Sequence, residues 1–207
     1  MNILIAVPSM EFVPATFCQS LAMLEKVGNC AVAFQVGSLV YDSRNALGKK
    51  AIEMGADYVM WFDSDMMFEP DIMVRMLEEM EENDIDILSG VYYRRSHPYT
   101  PVLFDKLEIV DGQPITTEFD ELPEGLFEVG GCGFGCVLMK TDVLFEVMSK
   151  YLDLFSPLGK CGEDLSFCIR ARECGFKVYA DTKYNLGHHS HTIVNKAFYE
   201  AIKGAKQ

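Results

Sequence analysis

Positive charge is what this 207-residue chain has least of: 18 Lys and Arg stand against 31 Asp and Glu, for a formal net charge of −13. Nonspecific grip on nucleic acid relies on Lys and Arg neutralising phosphates, so stable nucleic-acid binding is not expected. Long hydrophobic runs are missing too. None approaches the roughly 18 residues that would span a bilayer, although 49% of the residues are apolar and can build a substantial core. Met1-Asn-Ile-Leu-Ile-Ala-Val-Pro8 has no basic segment ahead of its apolar run. It reads as a first strand and not as a signal peptide, which predicts a soluble, cytoplasmic protein without a transmembrane segment. Zinc-type cysteine pairing is absent as well. Cys132-x3-Cys136 and Cys161-x6-Cys168 lack a matching Cys or His pair, and the seven cysteines are odd in number. Buried free thiols in a reducing compartment are the reading that fits. The Gly131-Cys-Gly133-Phe-Gly135 stretch is GxGxG, not GxGxxG, and leads into a strand. It is a poor match to a dinucleotide fingerprint, and its glycines suit close approach of a sugar or acceptor to the backbone.

What is present is alternation. Ile3–Val7 reads as a strand, Pro14–Val27 as a helix, Ala31–Val36 as a strand, and residues 43–54 as a helix capped by Ser43 and closed by Gly55. Tyr58–Phe62 is a strand buried on both faces; a helix from about Asp71 to Glu82 and a strand Ile85–Val91 follow. The acidic block Glu78–Asp84 is a solvated helix face. Residues 96–129 break the pattern, and Asp111-Gly112 marks an inserted hairpin. Thr141 caps a helix through Met148, residues 163–174 form another, Lys177–Ala180 a last strand, and Val194–Ile202 a terminal helix. Strands alternating with helices predict one α/β domain with a mostly parallel central sheet between helices.

The chemistry-bearing residues gather at element ends. Asp63 and Asp65 follow the buried strand, at the carboxyl edge of the sheet, where ligands of open α/β folds collect. Two carboxylates at i and i+2 repel unless a cation joins them, which suits a divalent metal carrying a phosphorylated ligand. Capping a turn and the next helix is the local alternative for this pair. Glu163 and Asp164 open a helix, where capping and general-base roles are both open. All but one of the four histidines fall in Gly187-His188-His189-Ser190-His191, a cluster suited to supplying a metal ligand. Arg44, at a helix start, suits either a surface ion pair or a nucleotide diphosphate.

These residues resemble the GT-A-fold, nucleotide-sugar-dependent glycosyltransferases of the broad family-2-like kind. Four blocks carry the likeness in order: Ile3–Pro8, Arg44-Asn45 through Asp63-Ser64-Asp65, Gly135–Lys140, and Gly162-Glu163-Asp164 through His188. The resemblance implies a single GT-A (Rossmann-like) domain over residues 1–207, with a hairpin insertion at 96–129 and a C-terminal helix at 192–207. It also implies Mn²⁺ or Mg²⁺ held by Asp65 and His188 together with Asp63, which lies nearer the ribose; His189 and His191 are the fallback ligands. Pro8, Ser9, Arg44, Asp63, Ser64 and Gly135 would contact a UDP- or GDP-linked sugar. Asp164, beside Glu163, would be the base in an inverting transfer to an acceptor hydroxyl. Relative to that family the region before the Asp-x-Asp strand is compressed, and the hairpin at 96–129 is expected to serve acceptor recognition. The alternatives are a nucleotidyltransferase acting on sugar phosphates and a non-catalytic sugar-nucleotide-binding module. The loop Pro8-Ser9-Met10-Glu11-Phe12 has no basic residue to grip a triphosphate, which counts against the first.

Overall fold

The structure, a computed structural model, describes residues 1–37, 39–111, 113–190 and 193–204. Along the chain run β1 (Asn2–Ser9), α1 (Ala15–Met23), β2 (Asn29–Val36), α2 (Val40–Glu53), β3 (Tyr58–Phe62), β4 (Met66–Met67), α3 (Ile72–Glu82) and β5 (Ile87–Val91). Then come β6 (Leu103–Val110), β7 (Gln113–Glu118), β8 (Leu126–Val129), β9 (Gly131–Cys132), β10 (Cys136–Lys140), α4 (Thr141–Tyr151), α5 (Glu163–Glu173), β11 (Val178–Asn185), β12 (Gly187–His188) and α6 (Lys196–Gly204).

A seven-stranded sheet in the order β2-β1-β3-β10-β5-β11-β8 forms the centre. Strands β1, β2 and β3 are parallel, as are β5 and β11, whereas β10 runs antiparallel to both its neighbours and β8 antiparallel to β11. The sheet is therefore mostly parallel, with helices over both faces, as the alternation predicts. Its inner strands are apolar on both sides because both sides are covered. Leu4, Ala6, Val59 and Trp61 pack into one cluster, and Ile3, Ile5, Val7, Met60 and Phe62 into the other. Trp61 meets Phe155 and Phe134 edge-on at 5.2 and 5.9 Å. Phe62 stacks on Phe68 at 3.9 Å, which seats the chain directly beyond the acidic turn. The insertion is a hairpin of β6 and β7 that joins β9 in a three-stranded sheet.

Several element ends differ from expectation. Helix α2 starts at Val40, with Leu39 in the capping position, so Ser43 lies inside the helix and is buried. The Ser43 hydroxyl faces Gly37, where a Cβ would come within 2.9 Å of it. Gly55 does close α2, at a φ of +62°. Lys140 and not Thr141 precedes α4, and α1 ends at Met23, short of Val27. Strand β11 runs on to Asn185 because it pairs with both β5 and β8. In the hairpin, Asp111 takes a φ of +50°, while Gly112 lies outside the described residues. Every described cysteine is free, and four are buried; Cys18, however, is exposed.

Candidate functional site

The acidic turn and the histidine segment are joined by a sheet of their own. Met66 N–H bonds back to the Asp63 carbonyl at 3.1 Å, turning the chain after β3. The two residues of β4 then pair antiparallel with β12, setting His188 opposite Met66. His189 N–H donates to the Asp65 carbonyl at 2.8 Å and locks the pairing. As a result His188 Nε2 lies 3.4 Å from Asp65 Oδ2. Its Nδ1 is 2.7 Å from the Tyr93 carbonyl, an acceptor only, so Nδ1 carries the proton in that bond. In the neutral ring Nε2 then presents a lone pair to a carboxylate oxygen, an arrangement that a cation between them would stabilise.

Asp65 already has one cationic neighbour. Arg95 Nη1 is 2.8 Å from Asp65 Oδ2, and the arginine is 55% exposed. Burial acts to raise the Asp65 pKa, but His188 and Arg95 outweigh it and hold the carboxyl below its ordinary value. Asp63 is placed differently. Its Oδ1 accepts from Arg44 Nη2 at 2.8 Å, and Arg44 Nε points to Glu163 Oε1 at 3.4 Å. Burial first, and the nearby Asp65 charge, raise the Asp63 pKa despite Arg44. Burial works against the Arg44 charge, yet Asp63 and Glu163 keep its pKa raised. Asp63, expected among the metal ligands, is thus tied to Arg44 and not to His188.

Pro8, Ser9, Arg44, Asp63, Ser64, Asp65, Glu163 and His188, all singled out in the sequence, line one cleft of about 290 Å³ at the carboxyl ends of β1 and β3. Two of its buried polar groups are unpartnered: Ser9 Oγ and Arg44 Nη1. Buried polar atoms without partners are uncommon, and these two leave hydrogen-bonding capacity unused at the cleft. Arg44 rests over the Phe134 ring at 5.3 Å.

Other expected residues stand elsewhere. Asp164 does not line this cleft; its Oδ1 accepts the Leu165 N–H at 2.7 Å at the start of α5. Burial, followed by the adjacent Glu163 charge, pushes its pKa up to about 6. Gly135 is outside the cleft as well. The space that a side chain there would need is filled by Tyr92 and Met66, so this glycine seats Tyr92 and is not open to a sugar. His189 Nδ1 lies 3.4 Å from the Thr16 hydroxyl, and His191 lies outside the described residues. Sequence reasoning missed Tyr92 and Arg95, which both line the cleft. A basic pair, Arg94-Arg95, just past a strand in so acidic a chain was the available signal.

Among the described residues no group of three or more His, Cys, Asp or Glu side chains converges as a ready-made metal site. Asp65 with His188 nonetheless fits a hard divalent ion. Mg²⁺-type sites commonly use one or two protein carboxylates and complete their shell with substrate phosphates and water.

No protein-family model matches the chain, and no curated protein matches it. Solved structures do. A197 from STIV matches with a TM-score of 0.64 at 20% identity, over 92% of this chain and 86% of that one. TarS residues 1–349 from S. aureus match with a TM-score of 0.53 at 15% identity, over 88% of this chain and 60% of that one. At these identities the likeness is one of fold: an α/β, GT-A-type domain around a mostly parallel sheet.

Proposed function

We propose that this chain is a metal-dependent glycosyltransferase that moves a sugar from a nucleoside-diphosphate sugar to an acceptor hydroxyl. The observation that carries the reading is the facing pair of Asp65 Oδ2 and His188 Nε2, 3.4 Å apart, in a cleft at the carboxyl ends of the strands. Asp65 and His188 would hold Mn²⁺ or Mg²⁺, which when bound supplies positive charge to a departing diphosphate.

The chain's own residues divide the remaining work. Arg44 orients Asp63, leaving the other oxygen of that carboxylate for a ribose hydroxyl. Ser9 Oγ and Arg44 Nη1 have free hydrogen-bonding capacity for the polar nucleotide. Arg95 offers an exposed guanidinium to phosphate oxygens, a match that Arg makes with two parallel bonds. Asp164 takes the proton of the attacking hydroxyl, and a carboxylate titrating near 6 is suited to that task close to neutral pH. The hydroxyl oxygen bonds to the anomeric carbon on the face opposite the diphosphate as the carbon–oxygen bond to the diphosphate breaks, which inverts that centre.

A panel of nucleoside-diphosphate sugars, each with and without Mn²⁺, tests the donor site by thermal unfolding. One donor should stabilise the protein only with metal, by about 2.7 kcal/mol at a hundred times its dissociation constant. Asp65→Ala should abolish that shift. Equal stabilisation of Asp65→Ala, or of the wild type without metal, would overturn the donor-site reading. Turnover of the stabilising donor separates an enzyme from a binding module.

A further inference from the structure

We propose that Tyr92 binds the sugar that is transferred, its phenol O–H donating to one hydroxyl of the donor's sugar ring and so helping to select that sugar. The proposal rests on the glycosyltransferase reading of the cleft and gives a task to a residue which that reading leaves without one.

Tyr92 follows β5 directly and lies on the wall of the cleft, 6% exposed. Its ring stands edge-on to the His188 imidazole, with the centroids 5.3 Å apart. The phenol oxygen accepts the Gly135 N–H at 3.3 Å, and among the described residues that is its one hydrogen bond. A phenol both donates and accepts. The proton of this one is therefore unspent, and a buried donor without an acceptor is costly to the fold. An oxygen of a ligand in the cleft would remove that cost.

The chain also makes room for the hydroxyl in particular. A Cβ on Gly133 would collide with the Tyr92 oxygen first, ahead of Val102 Cγ1 at 2.7 Å and the ring carbon Cζ at 3.1 Å. Packing alone would be served by phenylalanine, which fills the same space with no oxygen to accommodate. Glycine carries an entropic penalty in an ordered segment, so a hydroxyl that presses on one is poorly explained as core filling.

Location favours the sugar over the nucleotide and the acceptor. The unpartnered Ser9 Oγ and Arg44 Nη1 are the groups assigned to the nucleotide. Tyr92 packs instead on His188, which faces Asp65 and would hold the metal on the diphosphate. The charges of Asp63 and Asp164 both act on its hydroxyl, so it lies within range of the donor-side carboxylate and of the proposed base. For transfer the anomeric carbon must sit between diphosphate and base. The ring that carries this carbon is then the part of the ligand beside Tyr92.

Calorimetry with Mn²⁺ and two probes tests this: the nucleoside-diphosphate sugar that stabilises the wild type, and the matching nucleoside diphosphate. Tyr92→Phe, which keeps the ring, should bind the sugar nucleotide roughly two- to tenfold more weakly. It should bind the nucleoside diphosphate as the wild type does. Deoxy donors, each lacking one sugar hydroxyl, then identify the partner. One of them should bind the wild type more weakly than the full donor does, with no such difference in Tyr92→Phe. Undiminished affinity of Tyr92→Phe for the sugar nucleotide overturns the proposal. So does an equal loss for both probes, or a raised acceptor KM with donor binding intact. Those three results leave the donor site standing. A wild type that binds no sugar nucleotide with metal present overturns the donor site itself, and this contact with it.

Discussion

Asp164 carries the clearest pH signature among the site residues. An unfolded carboxyl loses its proton near pH 3.9, whereas burial and Glu163 move this one to about 6 in the fold. Between those values the folded chain binds more protons than the unfolded one, so Asp164 contributes stability at low pH that is lost as pH rises through about 6. With Asp164 as the proposed base, transfer would need its ionised form, so the rate should climb roughly tenfold per pH unit below that point and level above it. Activity and stability thus run in opposite directions across one window, as a pH–rate profile beside urea unfolding would reveal. Asp164→Asn should bind donor and metal normally, by calorimetry, yet fail to transfer; full activity would place the base elsewhere. Arg95→Ala should weaken binding of a nucleoside diphosphate at least tenfold while leaving the bare nucleoside unaffected. Equal losses for both ligands would instead mean that Arg95 only shapes the cleft.

At the level of elements, the glycines after β9 act by giving up space. A Cβ on Gly133 would collide with the Tyr92 hydroxyl and approach Val102 Cγ1 within 2.7 Å, and one on Gly135 would lie 2.7 Å from the Tyr92 ring. Tyr92 is itself buried against the cleft, and burial pushes its hydroxyl pKa well up. Gly133→Ala should therefore cost about 1–3 kcal/mol in urea unfolding, with partial rescue by Tyr92→Phe, which removes the hydroxyl. Additive losses in the double variant would show that the two sites are not in conflict. This role was invisible in the sequence. A glycine's spacing says that close approach occurs but not what approaches, and a sugar was the expectation where a tyrosine stands. Continuous apolar runs did reveal β1 and β3, because both faces of each are covered. The start of α2 was misread because Ser43 matches a capping residue, while the chain enters the helix a turn earlier beside Gly37.

For the molecule as a whole, architecture was legible and neighbourhood was not. The alternating pattern dictated a mostly parallel sheet, yet it carried no sign that β10 would wedge between β3 and β5. That choice of neighbour, made by tertiary packing, fixes where the end of β5 sits and so brings Tyr92 and Arg95 to the cleft. Asp63, Asp65 and His188 were legible because each follows a strand, and strand ends converge in this class of fold. The charge imbalance is likewise a property of the whole. At −13 the folded chain repels itself, so its melting temperature should rise with sodium chloride and flatten as the Debye length falls to about 8–10 Å near 0.1–0.15 M. A melting temperature that falls over this range would mean that local ion pairs such as Lys183–Glu79 outweigh the net repulsion.

The small β4–β12 sheet dictates an order of events during synthesis. Asp65 emerges from the ribosome with the first third of the chain, but the strand that clamps its turn and the imidazole that faces it come near the end. A nascent chain halted before Gly187 has the sequence for the central sheet and most of its helices, and still lacks half of the cation-facing pair. Under the proposed function, competence to hold a divalent ion there would be acquired late, with the arrival of His188.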